Sequence, residues 1–292
     1  MTRVLGALLL TLPLAGAYAI HAISIVLVYR ASKVLNLAHG VMATIPAFVL
    51  YTLSRVGVPA LVAFPMAVVA GAVLGMSVER VFVRPMRSQS ASAQTVGTVV
   101  VLGFAVALTA RVWGTSSLPP VRIFPSGFIN VGLSAVQYSQ IGLFATMLAV
   151  FGGLTALFKT TDLGLLLRGA AENPRAAALM GVNPERMTAM TWALGGALAA
   201  TAGILLAAAN QSLEAYNLPL QALPGFLAAL LGGLGNLTGA LIGGIGVGMI
   251  VGLVPSLPGL GGLQGADKAL LTVLGMVVMA TRGKRLVGVG SE

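Results

Sequence analysis

Apolar residues run almost without interruption over residues 4–29, 34–54, 59–78, 93–112, 141–158 and 187–209. They continue through a glycine-rich zone at 222–254 and recur over 266–281. Runs of this length, apolar on every face, predict helices that cross a hydrocarbon core of about 30 Å, which takes ~20 residues. One stretch departs from the pattern. Residues 161–186, TDLGLLLRGAAENPRAAALMGVNPER, carry Asp162, Arg168, Glu172, Arg175, Glu185 and Arg186 on an amphipathic rhythm. The pattern therefore predicts an all-α, polytopic transmembrane helical bundle of about eight to nine spans. It forms a single transmembrane domain over residues 1–292, with one short polar helix in its middle.

Composition agrees with the pattern. Of 292 residues 57% are hydrophobic and only 8% charged, too few to coat a soluble domain of this size. With no cysteine there is no disulfide framework, thiol nucleophile or thiolate metal site. Near the N-terminus, Arg3, an apolar run and AGAYA (15–19) imitate a secretory signal, but the run continues through Ala22–Val28 and reads as the first helix.

The net charge of +10 fits basic residues gathered on one side of a membrane better than a nucleic-acid partner. Arg30, Lys33, Arg80, Arg84, Arg87, Lys159, Arg168, Arg175, Arg186, Arg282, Lys284 and Arg285 are 12 of the 17 basic residues. The positive-inside bias makes their side cytoplasmic and puts the N-terminus outside. A single helix over 222–254 would carry Arg282, Lys284 and Arg285 to the wrong side. The conflict disappears if LLGGLGNLTG (230–239) breaks the segment near Gly232–Asn236 into a re-entrant hairpin or two short crossings. Residues 113–140, punctuated by Pro119, Pro120, Pro125, Gly127 and Gly132, read as an external loop, irregular or partly β-like, with Trp113 at the membrane interface.

Gly235, Gly239 and Gly243 share one helical face, and Gly244, Gly248 and Gly252 another. Gly71/Gly75 and Gly195/Ala199/Gly203 repeat the spacing, which admits close helix packing; the broken glycine-rich end is also suited to lining a path. Polar candidates for a translocation path are Asn36, His39 and Gly40 in KVLNLAHG, together with Asn210, Gln211 and Asn236. His21 lies inside the first span. Such groups either hydrogen-bond a neighbouring helix or serve function. Glu79, at a span end beside Arg80, reads as an interface pair. No span carries a pair of acidic residues, as proton-driven carriers often need. There is no HExxH or CxxC, and TRGKR has Val278 where a phosphate loop requires glycine. Neither an enzyme nor a metal or other cofactor is expected.

In the polar stretch, Asn173 caps a helix with Pro174 at its first position, and Gly181 ends it. Ala176, Ala177, Leu179 and Met180 give it a small, partly apolar surface suited to a groove on a soluble partner; the plainer alternative is a solvated connector.

RAAALMG (175–181) resembles the EAAxxxG coupling motif of ABC importer permeases. VLNLAHGVMATIPAFV, ERVFVRPMRS, GLLLRGAAENPRAAALMGVNPERM and LLGGLGNLTGALIGG follow in order and at suitable spacing. Together, over roughly residues 10–280, they resemble the shorter, H-type permease subunit of branched-chain amino acid ABC importers. The resemblance implies a multi-pass permease of the cytoplasmic (inner) membrane. Its partners would be membrane lipid, a second related permease, two cytoplasmic ATP-binding subunits and an extracytoplasmic substrate-binding protein, with no nucleic acid. It further implies a cytoplasmic coupling loop at 159–186, with Arg168, Glu172, Arg175, Ala176, Ala177 and Gly181 at the ATPase contact and hydrolysis on the partner. Two positions depart from the pattern. Arg175 replaces the acid of the coupling motif, and Val41 follows AHG where family members commonly carry an acid, which leaves the substrate open among branched-chain amino acids and related small amides or organic acids. The competing readings are a secondary transporter driven by an ion gradient and a non-transporting scaffold.

Overall fold

A computed structural model describes the backbone of residues 2–131, 134–257, 259, 263 and 265–286, with side-chain surroundings described over 11–130, 135–255, 257, 259, 263 and 265–281. Gly132 and the side chains of Arg282, Lys284 and Arg285 lie outside the described residues. Twelve α-helices account for most of the rest. Among the described residues, five stretches are long and apolar enough to cross a bilayer. They belong to α1 (Thr2–Ser32), α3 (Ala60–Val78, continued by a π-helical turn at Glu79–Val83 and a 3-10 turn at Arg84–Met86), α4 (Ala91–Trp113), α5 (Tyr138–Thr160) and α8 (Pro184–Asn210).

The second apolar run behaves differently from the sequence expectation. The helix expected from residue 34 begins at His39, and α2 (His39–Arg55) has only 17 residues. Residues 33–38 are irregular, with Lys33 at φ 57° and Val34, Asn36 and Ala38 buried. The N-terminus of α2 therefore sits deep in the protein, where His39 meets His21 from the middle of the α1 span.

The glycine-rich zone forms two helices, α10 (Ala222–Gly232) and α11 (Leu237–Leu253), separated by residues 233–236. Gly233 takes φ +85°, which glycine adopts without strain, and Asn236 caps α11 by accepting from the backbone N–H of Thr238 and Gly239 at 3.0 and 3.1 Å. The chain then reverses: a Cβ at Gly239 would strike the backbone of Gly232, and one at Gly243 the backbone of Ala228. α10 and α11 are thus an antiparallel hairpin in backbone contact. Gly235 does not share that packing, because it lies in the turn before Asn236 and a Cβ there meets nothing within 4 Å.

α1 is the centre of the bundle, buried along most of its length and packed against α5, α8, α10 and α11. Gly244, Gly248 and Gly252 lie on Ala19, Ala15 and Thr11, so each four-residue step on α11 matches one on antiparallel α1. On α8, Gly195 faces Val28 and Ser24 of α1, whose hydroxyl donates to the Gly195 carbonyl at 2.6 Å, while Gly203 meets Ala43 of α2. Gly196, outside the expected series, meets Gly71 and Gly75 of α3.

The expected loop at 113–140 includes a small hairpin, β1 (Phe128–Val131) antiparallel to β2 (Ser134–Gln137), in register Phe128 to Gln137. A backbone bridge ties the loop to the segment after α8. Leu118 and Leu213 exchange N–H to O bonds of 3.0 and 2.9 Å. Trp113 donates from Nε1 to Thr52 at 2.8 Å and packs on Phe48.

Candidate functional site

The polar stretch folds as three helices joined by tight corners. Thr161 caps α6 (Asp162–Glu172) by accepting from Gly164 at 3.1 Å, and Gly164 packs on the backbone of Leu157 and Phe158 to make the corner with α5. Gly164, Leu167 and Ala170 recur every three residues and are buried, so α6 lies on the bundle by one face. Asn173 then caps α7 (Pro174–Leu179), accepting from Ala176 at 2.9 Å, with Pro174 at the first position. Gly181, at φ +81°, allows the chain to leave the helix, and Asn183 caps α8 by accepting from Arg186 at 3.0 Å. Three side-chain caps in 23 residues fix the path of a segment that has little core to hold it.

No residue of α7 is buried. Arg175, Ala176 and Gly181 are exposed and Ala177 is half-buried, while Leu179 and Met180 are 89% and 84% exposed. Leu179 and Met180 are thus two adjacent apolar side chains held outward on a capped turn. Arg168 turns away from this tip and donates to the Gly164 carbonyl of its own helix at 3.3 Å. Glu172, at the α6–α7 junction, pairs with Arg30 of α1 at 3.6 Å.

The exit from this segment is held more firmly. Glu79 does not pair with Arg80, which is exposed. Its carboxylate is fully buried and accepts from Arg84 at 3.1 and 3.3 Å and from Arg87 at 2.7 Å. The π-helical turn at Glu79–Val83 shifts the register of the helix so that residues five and eight positions on, rather than the adjacent Arg80, face Glu79. Both arginines then reach Glu185 at the start of α8, at 3.4 and 3.3 Å.

A second polar cluster lies inside the bundle. The His21 and His39 rings meet edge to face with centroids 4.9 Å apart, and Phe226 of α10 flanks His39 at 6.3 Å. Both rings are fully buried, and none of their four nitrogens hydrogen-bonds to protein among the described residues. Gly225 lies against His21, and Gly40 against the backbone of Pro219 in the short α9 (Asn217–Leu220). Asn36 is buried nearby in sequence and donates to the Met42 sulfur at 3.1 Å, with its own Oδ1 unpartnered.

The sequence-predicted polar residues thus fall in three places. Asn36, His39 and Gly40 belong to the buried centre, where His21 is an addition. Asn210 and Gln211 end α8; Asn210 donates to Gln221 at 2.6 Å, and Gln211 takes a left-handed φ of 54°. Asn236 is spent on its cap in the α10–α11 turn. Beside Gln211, the loop residues Arg122, Phe124 and Phe128 line an open cavity of about 470 Å³. Nearby, the Ser212 hydroxyl donates to Glu214 at 2.7 Å and, with further bonds from Ser117 and Asn217, holds its carboxyl below the usual carboxylate range. No group of three or more potential metal ligands occurs among the described residues.

The apolar, membrane-length helices agree with the comparisons to known proteins. Residues 7–280 match the family described as branched-chain amino acid transport system / permease component. The high-affinity branched-chain amino acid transport system permease protein BraD of Pseudomonas aeruginosa is 28% identical over 254 residues, 82% of each chain. The corresponding protein LivH of Escherichia coli K12 is 30% identical over 253 residues, 81% of each chain. A probable branched-chain amino acid transport permease protein of Methanocaldococcus jannaschii is 28% identical over 194 residues, 62% of this chain and 59% of its own. No solved structure gives a significant match. The match spans nearly the whole chain, and the chain belongs to the family of branched-chain amino acid transport system permease components.

Proposed function

We propose that this chain is the permease subunit of an ATP-driven importer, moving branched-chain amino acids or a related small amide or organic acid across the cytoplasmic membrane. The observation that carries the reading is α7, a helix capped at its start and ended by a left-handed glycine, with Leu179 and Met180 held out from the bundle. Seating these two side chains in a groove would contribute roughly 1.5–3 kcal/mol each. That is enough for a mechanical handle and too little for a permanent interface by itself. Arg175, Ala176, Ala177 and Gly181 complete the contact surface, and Arg168 and Glu172 support it from α6.

Two cytoplasmic ATP-binding subunits would supply hydrolysis, since this chain has no phosphate loop of its own. A second related permease would complete the pathway, and an extracytoplasmic binding protein would dock on the side of residues 113–140. The topology has the N-terminus outside, residues 159–186 in the cytoplasm, and α10–α11 as a pair of short segments that return towards the side they left. If α2, α10, α11 and α12 each cross beside the five long helices, the chain would pass through the membrane nine times. Substrate would pass near Asn36, His39, Gly40 and His21; the ring nitrogens of both histidines and Oδ1 of Asn36 are buried with no hydrogen-bond partner among the described residues. Asn210 and Gln211 lie at the outer approach. ATP-driven closure of the partner subunits would bias the bundle between two access states through α7.

Gentle detergent extraction of the native complex, with mass spectrometry of what copurifies and uptake assays in vesicles, tests the proposal. It predicts recovery of ATP-binding subunits and a second permease, with uptake that requires ATP. Recovery of this chain alone, with ion-gradient-driven uptake in the absence of ATP, would replace it with a secondary transporter.

A further inference from the structure

The linkage between the polar segment and the bundle has a definite form. Arg84 and Arg87 each bridge two carboxylates, the fully buried Glu79 at the end of α3 and the mostly exposed Glu185 at the start of α8. Arg84 also donates to the backbone carbonyl of Glu185 at 3.4 Å. Two positive and two negative side chains alternate in a closed ring, so the charge of buried Glu79 is compensated whatever happens at Glu185. The inner half is a fixed anchor, because breaking it would strand a buried carboxylate. The outer half is a semi-exposed contact that can yield or hold at modest cost.

Its place in the fold gives the ring a purpose. Glu185 is the second residue of α8 and follows the turn that closes α7. Further along, α3 and α8 are in backbone contact, with Gly71 and Gly75 of α3 on Gly196 and the Trp192 carbonyl of α8. The helix pair is thus braced at two points, by glycine contacts in the middle and by an arginine ring at the end. On the entry side, α6 rests on the bundle by its buried face, and the ion pair that joins it to α1 is a single long one among the described residues, Arg30 to Glu172.

We propose that Glu79, Arg84, Arg87 and Glu185 form a positioning clasp that makes α3 follow α8 when α7 is displaced, so that force applied at α7 reaches two helices of the bundle. The proposal rests on α7 being the handle for an ATP-hydrolysing partner. The clasp touches neither substrate nor that partner; it acts through α8.

The test uses the complete importer in proteoliposomes and compares Glu185→Gln, Glu185→Asp and Arg87→Lys. Glu185→Gln leaves Glu79 paired to both arginines. Arg87→Lys keeps the charge but loses the fork that spans two carboxylates. Both are expected to assemble and hydrolyse ATP while uptake per ATP falls severalfold. Glu185→Asp should restore most of it. The chain has no cysteine, so spin labels at Ser77→Cys on α3 and Ala178→Cys on α7, both exposed positions, report the linkage directly. Their separation should stay constant between nucleotide-free and ATP-trapped states, and change between those states once Glu185→Gln is added. Normal uptake per ATP in both variants, or a Ser77–Ala178 distance that already changes in the unaltered clasp, overturns the proposal. Failure of both variants to assemble also overturns it, since the ring would then be a folding element. ATP-independent uptake by the unaltered importer is a different result, which removes the handle itself and the clasp's role with it.

Discussion

His21 and His39 touch edge to face at 4.9 Å inside a bundle of apolar helices, and neither imidazole has a hydrogen-bond partner among the described residues. Unpaired buried donors and acceptors destabilise a protein by about 1–3 kcal/mol each, so a fold that keeps them has a use for them or hydrates them. Replacing both with aromatic carbon separates these effects. His21→Phe and His39→Phe preserve ring packing while removing the nitrogens. The melting temperature of the purified protein should stay level or rise, and uptake should fall. Unchanged uptake in the double variant would take this cluster off the substrate path.

Backbone contact between glycines sets a second expectation. Gly239→Leu and Gly244→Leu drive a side chain into Gly232 and Ala19 respectively, and overpacking of this kind typically destabilises by 1–3 kcal/mol. Gly235→Ala, on the same sequence spacing as Gly239 but with open space around it, should leave the melting temperature nearly unchanged. A thermal shift assay on the three variants reads the contrast. Equal loss at all three would mean that spacing, not the observed contact, governs the hairpin.

Glu214 predicts a response to acid. Its hydrogen bonds from Ser212, Ser117 and Asn217 favour the ionised form and lower its pKa, so the stabilisation is present above the ordinary carboxylate value of roughly 4.3 and is lost as pH falls through the lower folded value. Protection of the amides near Leu118 and Leu213, where the loop bridges to the segment after α8, measured against the intrinsic exchange rate at each pH, should fall as the medium is acidified through that window. Glu214→Gln should show the lower protection at every pH. Protection in the parent protein that ignores the window would show that the carboxylate does not hold the loop.

The sequence made local features legible and long-range ones obscure. Asn173, Pro174 and Gly181 define α7 because capping depends on neighbours three residues apart, and the structure has each in its expected role. The α10–α11 break was visible for a related reason: a glycine cluster beside Asn236 both ends one helix and caps the next. The start of α2 is hidden in the sequence because residues 34–38 are apolar enough to extend the run, while in the structure they are irregular and largely buried. Adjacency in sequence suggests Arg80 as the partner of Glu79, while the π-helical turn that brings Arg84 and Arg87 towards it is not visible there, nor is the contact of Arg84 with Glu185, 101 residues on. His21 and His39 come together only because α2 starts deep in the bundle.

Leu179 offers a direct handle on the proposed partner contact. Because its side chain is exposed, Leu179→Asp should leave folding and membrane insertion unchanged while weakening association with the ATP-binding subunit by at least tenfold, as expected for loss of an apolar anchor of about 1.5–3 kcal/mol. Copurification yield against a folded control checks it. Undiminished recovery of the ATP-binding subunit would move the contact elsewhere.

The most direct test of the account is a cross-link from the tip of α7. In a chain without cysteine, Met180→Cys provides a single attachment point for a short photo-reactive group on the intact complex. The account predicts capture of an ATP-binding subunit, and ATP-dependent uptake that stops once the link has formed. Capture of no nucleotide-binding protein, with uptake continuing after the reaction or in the absence of ATP, would contradict it.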